Sequence, residues 1–195
     1  MQDALIVHRP ALAARELVLL FHGVGAGAED LRPVGEALGR RFPDAWVVSV
    51  RSPDPSEFGA GWQWFSVGGI DEASRPARVS GAMPGFEQAV RHWQRETGLD
   101  AAATTLIGFS QGAIMAIEST QASVPLAGRV IAIAGRFAEP PRIAPAHTAP
   151  HLMHGQQDRV MSSTLAVDAY ERLQSLAGQV TLDLIPGSVM ASISA

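Results

Sequence analysis

ATTLIGFSQGAIMAIEST, residues 103–120, decides how the rest of the chain is read. An apolar run, ATTLIGF (103–109), passes without a linker into AIMAIEST, which has helical spacing. At the junction stands GFSQG, residues 108–112, a G-x-S-x-G motif in its required setting between strand and helix. The spacing has a steric reason. Ser110 must occupy a tight turn, and flanking residues without side chains let the strand and helix backbones pass close together. Such a turn presents the serine Oγ to solvent, with the helix N-terminus and the N–H of Gln111 placed to stabilise an anion. The plain alternative is a Gly-rich strand-to-helix turn with no chemistry.

Outward from this stretch, strands and helices alternate. ELVLLF (16–21), AWVVSV (45–50), RVIAIA (129–134), APHLMH (149–154) and VTLDLI (180–185) read as further strands. Most are near-continuous apolar runs, the pattern of strands covered on both faces. Helical patterns lie at about 29–41, 84–97, 111–121 and 162–177, with Pro84 suited to a first turn and Ser162 or Ser163 to a cap. The order predicts an α/β fold, a mostly parallel sheet with helices on both faces. With 195 residues, no internal repeat and no linker-like tract, residues 1–195 are expected to form one domain.

Composition narrows the function. Hydrophobic residues make up 47% and charged residues 17% of the chain, enough apolar mass to fill a core. A net charge of −4 with no basic run argues against nucleic acid and anionic membranes as partners. No apolar stretch approaches the ~20 residues of a membrane span, and MQDALIVHRP lacks a signal-peptide pattern, so a cytoplasmic protein is expected. Zero cysteines exclude disulfides and thiolate chemistry. No metal site is expected either: His151 and His154 in one strand point to opposite faces.

Three further stretches bear on chemistry. Residues 51–83 are rich in Gly, Pro and Ser and too long for a mere connector. They hold Trp62, Trp64 and Phe65, which either wall a substrate cleft or pin the loop to the body. FHGVGAGAED (21–30) follows a strand and places the N–H of Val24 where it would join that of Gln111 as a second oxyanion donor. GVGAG alone suggests a phosphate loop, but neither G-x-G-x-x-G nor G-K-[ST] is complete. His22 is expected to pack and hydrogen-bond within this turn. In HGQQDRV (154–160), Asp158 falls where an acid belongs in the chain order serine, acid, histidine, and His154 is expected to anchor its loop.

Together LLFHGVGA, FPDAWVVSV, GWQWFSV, IGFSQGAIMA, HLMHGQQDRV and VTLDLI resemble the phospholipase/carboxylesterase branch of the α/β-hydrolases, which includes bacterial carboxylesterases and acyl-protein thioesterases. The likeness runs over nearly the whole chain. It implies an α/β-hydrolase fold, Ser110 as nucleophile, Asp158 as orienting acid, Val24 and Gln111 as oxyanion donors, an acyl ester or thioester as substrate, and no cofactor.

The likeness stops at the end of the chain. The family's base histidine follows the acid, in a G-H-x-I-like turn beyond the last strand, and a terminal helix comes after it. Here all six histidines, His8, His22, His92, His147, His151 and His154, precede Asp158. PGSVMASISA (186–195) stands where the turn is expected, with Met190 or Ala191 nearest the histidine position. With suitable synonymous codons, this ending read one base out of register gives L-G-H-G-I-D-L-R. A single lost base before Ser188 is the leading explanation; a deliberate deletion and a natural non-catalytic homologue are the others. Sequencing the encoding DNA separates them. The expectation is impaired hydrolysis, a missing terminal helix that leaves apolar surface exposed, and a tendency to homodimerise.

Overall fold

The sheet grows outward from β6 (Thr104–Phe109), the strand that carries the serine turn. On one side lie β2 (Glu16–Phe21), β3 (Ala45–Val50) and the edge strand β1 (Ala4–His8). On the other lie β7 (Arg129–Ile133), β8 (Ala149–Gly155) and β9 (Thr181–Ile185). The order is β1-β3-β2-β6-β7-β8-β9, parallel throughout except for β1 against β3. This computed structural model describes residues 4–187, so the expectations about Met190, Ala191 and a terminal helix lie outside the described residues.

Parallel pairing demands crossovers, and helices supply them. Helix α1 (Arg32–Arg41) lies on one face over β1 and β3, and the 3-10 turn before it (Ala28–Leu31) reaches β2; there Val18, Leu20, Ala45 and Val47 meet Leu31 and Leu38. Helices α2 (Arg75–Thr97), α3 (Gln111–Glu118) and α4 (Thr164–Ser175) cover the other face. There Leu17, Leu19, Phe21, Leu106 and Val130 bury against Phe86, Val90, Ile114 and Met115. Further along, Ala132 and Leu152 pack on Ala113, Ile117, Ala169 and Leu173. Coverage is uneven. On α1's side of the sheet, Ile107, Ile131, Phe109, Ile133 and Met153 are aligned in register and only half-buried. Among the described residues, the helices that pack on β7, β8 and β9 are α3 and α4, both on the opposite side.

Two elements differ from expectation. β1 was not expected; its five residues pair only along one edge, so its apolar signal is short. Helix α2 begins at Arg75 and takes in residues 75–83, which composition assigned to the loop, so Pro84 is interior and not in a first turn. The start is fixed upstream. Asp71 and Ser74 bond reciprocally, Ser74 N to Asp71 Oδ1 at 2.8 Å and Asp71 N to Ser74 Oγ at 3.0 Å, and Pro76 sits in the first turn. The remaining loop is not bare: β4 (Asp54–Pro55) pairs antiparallel with β5 (Trp62–Gln63).

Candidate active site

Every parallel strand delivers its following turn to the same rim, the carboxyl edge where open α/β sheets bind ligands. Register lines the turns up: Phe21 pairs with Gly108, Phe109 with Ile133, and Ile133 with Met153.

Ser110 stands at this rim in a left-handed conformation, φ 50° and ψ −114°, half-buried between β6 and α3. A non-glycine residue held there stores on the order of 1–3 kcal/mol of strain, which the surroundings must over-determine. They do so by close packing. A Cβ on Gly108 would overlap Gly112 and Ala113, and one on Gly112 would overlap the Phe21 and His22 carbonyls. The Ser110 N–H donates to Ile133 O at 2.9 Å and its carbonyl accepts from Ile114 N at 3.0 Å. Both glycines of the motif are therefore required by contact.

The turn after β2 lies beside it. A Cβ on Gly23 would sit 3.3 Å from that of Ser110, so Val24 directly follows a point where the two turns nearly touch. Val24 is 38% exposed, and Gly25 takes φ 79°. His22 is 1% exposed and fully engaged: Nδ1–H donates to Gly23 O at 2.7 Å and Nε2 accepts from Ser52 N at 3.0 Å. Burial holds its pKa below the usual imidazole value. This ring is a neutral strut, as the sequence suggested.

Asp158 lies in the turn after β8, with its side chain 3% exposed. Its Oδ1 accepts from Val160 N at 2.8 Å and Met161 N at 3.0 Å, and its Oδ2 lies 3.5 Å from His154 Nε2. The fully buried His154 donates from Nε2 to Met161 O at 2.9 Å, closing the loop back onto β8. Ser110 and Asp158 thus share a rim, with β7 between their parent strands.

The aromatic segment behaves differently along its length. Trp64 and Phe65 are 2% and 4% exposed and belong to the main core, where Trp64 meets Phe21 and Phe86 edge-on at 5.5 and 5.6 Å. What remains of their surface faces a cavity of about 360 Å³ shared with Arg78 and Phe86. Trp62 is half-buried under the Arg51 guanidinium, 3.8 Å from its ring. Sequence reasoning missed the side chain of Gln111. It is 3% exposed, and both ends grip this segment: Oε1 accepts from Trp64 N at 2.7 Å, and Nε2 donates to Phe65 O at 2.6 Å. Among the described residues no group of three His, Cys, Asp or Glu side chains could hold a metal, and no helix is long and apolar enough to cross a membrane.

Comparison with known proteins agrees with this fold. A profile of the phospholipase/carboxylesterase family matches residues 2–194. Esterase YpfH of Escherichia coli K12 is 49% identical over 183 residues, 94% of this chain and 79% of its own length. The crystal structure of esterase PE8 superposes with a TM-score of 0.85 at 28% identity, covering 97% of this chain and 90% of the other. The Bacillus cereus carboxylesterase shares the fold, with a TM-score of 0.81 at 18% identity over 98% of this chain and 88% of its own.

Proposed function

The chain belongs to the phospholipase/carboxylesterase family, an esterase family of the α/β-hydrolase fold, and from that premise we propose that it is built as a serine esterase for short to medium acyl esters or thioesters. The observation that carries the reading is Ser110 held at φ 50° against the Gly23–Val24 turn. In this reading Ser110 Oγ attacks the acyl carbonyl, and the N–H groups of Val24 and Gln111 take up the oxyanion. Each donor of this kind contributes about 2.7–4 kcal/mol of transition-state stabilisation. Asp158 serves to orient a histidine that would take the serine proton and return it to the leaving group.

That histidine is not among the 195 residues in its family position, since none of the six follows Asp158. His22 and His154 are no substitutes: both ring nitrogens of His22 are engaged, and His154 is fully buried with Nε2 held by Met161 O. Hydrolysis by this 195-residue chain therefore relies on water as proton acceptor. Loss of a triad member costs up to about a millionfold, while oxyanion donors and binding retain roughly 1,000- to 10,000-fold over water. The lack of a histidine after Asp158 also favours a second reading, an acyl-ligand-binding homologue without turnover.

p-Nitrophenyl acetate and butyrate separate the two. We expect slow turnover by the 195-residue chain, none above background in Ser110→Ala, and a gain of several orders of magnitude when L-G-H-G-I-D-L-R and its downstream helix replace residues 188–195. Fast turnover by the present chain refutes the missing-base account. Tight acyl binding without turnover, even after that replacement, favours the binding protein. The half-buried row Ile107, Ile131, Ile133 and Met153 supports a homodimer as the solution state.

A further inference from the structure

Residues 62–65 are tied to both turns that carry the proposed oxyanion donors. At one end, Gly25 N donates to Trp62 O at 2.9 Å and Trp62 N to Ala26 O at 2.8 Å, an antiparallel bridge to the turn after β2. Gly61 is pressed so close to Gly25 O that no side chain fits there. In the middle, the Trp64 indole Nε1–H donates to His22 O at 2.9 Å, directly before Gly23 and Val24. At the other end the Gln111 carboxamide holds Trp64 N and Phe65 O. All of Trp64, Gln111 and His22 are at least nine-tenths buried.

We infer that residues 62–65 form a brace that sets the separation of the Val24 and Gln111 amides, with Gln111 and Trp64 as its positioning residues. The inference rests on the esterase reading and adds to it. Gln111 has two tasks, its backbone N–H toward the oxyanion and its side chain toward the strap. The Trp64 indole transmits the strap's position to the neighbouring turn. An oxyanion site stabilises charge only if its donors are fixed beforehand, and a displacement of about 1 Å can cost on the order of 100-fold. The aromatic segment accordingly acts on the reaction from behind, through backbone geometry.

Gln111→Glu tests this without relying on turnover. A glutamate keeps the acceptor for Trp64 N, but an ionised second oxygen opposes the Phe65 carbonyl. Protonation restores the donor. Burial raises such a carboxyl above its ordinary value. Amide spectra of the 15N-labelled 195-residue chain should therefore show Trp64 and Val24 resonances titrating together in Gln111→Glu, with no such coupled transition in the parent. Phenylboronic acid reports the site itself: the serine oxygen bonds to boron, the serine proton leaves to solvent, and a boronate hydroxyl occupies the oxyanion position. Relative to the parent at the same pH, the variant should bind at least 10-fold more weakly at pH 8 and approach parity as the carboxyl protonates.

Trp64→Phe covers the case in which Gln111→Glu does not fold. It should shift the Val24 amide and weaken boronate binding at least 5-fold while the Gln111 amide still responds. The brace is overturned if Trp64 titrates and Val24 does not, or if the parent binds boronate and Trp64→Phe binds it equally well. Coupled titration of Val24 and Trp64 with no boronate binding, either by the parent or by the chain with the histidine turn restored, upholds the brace and refutes the esterase reading.

Discussion

At Gly112 one added methyl group would meet the carbonyls of Phe21 and His22, backbone atoms of the neighbouring strand end that cannot rotate away. Gly112→Ala is therefore expected to lose about 3 kcal/mol or more, read from urea unfolding, the upper range for overpacking. His22 makes a different prediction. Its folded pKa is depressed by burial, so its stabilisation is complete above the ordinary value of 6.5 and is lost as pH falls below it, because the unfolded chain then takes up a proton that the fold resists. Stability should fall between pH 7 and 5 by at most about 1.4 kcal/mol per pH unit from this group, and His22→Gln should flatten that slope. Both residues were legible in the sequence, the glycine from its motif and the histidine from its turn. The Gln111 carboxamide was not. Its partners are 46 and 47 positions away, and nothing local pairs them.

Helix α2 carries the clearest lesson among the elements. The tract before it is rich in Gly, Pro and Ser, and composition alone extended the loop to residue 83. The sequence did hold the correcting signal, an aspartate and a serine three apart at Asp71 and Ser74, followed by Pro76. Pro84 then lies inside the helix, where it cannot donate to the carbonyl one turn earlier. Pro84→Ala should raise the thermal midpoint, with a gain of up to about 3 kcal/mol if the helix relaxes fully. Strands β2, β3 and β6 have the bounds or nearly the bounds read from the sequence, because buried parallel strands are continuous apolar runs. Strand β1 escaped because an antiparallel edge needs only a few apolar residues on one side.

Across the whole molecule, the fold and the shared rim of Ser110 and Asp158 followed from the order of elements, since parallel strands must place their following turns together. What order cannot specify is which part of each face is covered. α1 and the turn before it lie over β1, β3 and β2, while the same side of β7 and β8 presents Ile131, Ile133 and Met153 half-buried. On the proposed dimer reading, sedimentation should show concentration-dependent association, and Ile131→Lys should shift it to monomer; a strict monomer at high concentration defeats the proposal. The strand directions have a practical corollary. The turn at 144–148, with exposed His147, precedes β8 and so lies at the end of the sheet away from Ser110. Tethered to a solid support through that turn, the protein would keep its mouth facing the bulk liquid, so immobilisation there should leave ligand access intact, whereas attachment at the exposed Phe58, whose carbonyl lies beside Gly25 in the turn after β2, would block it.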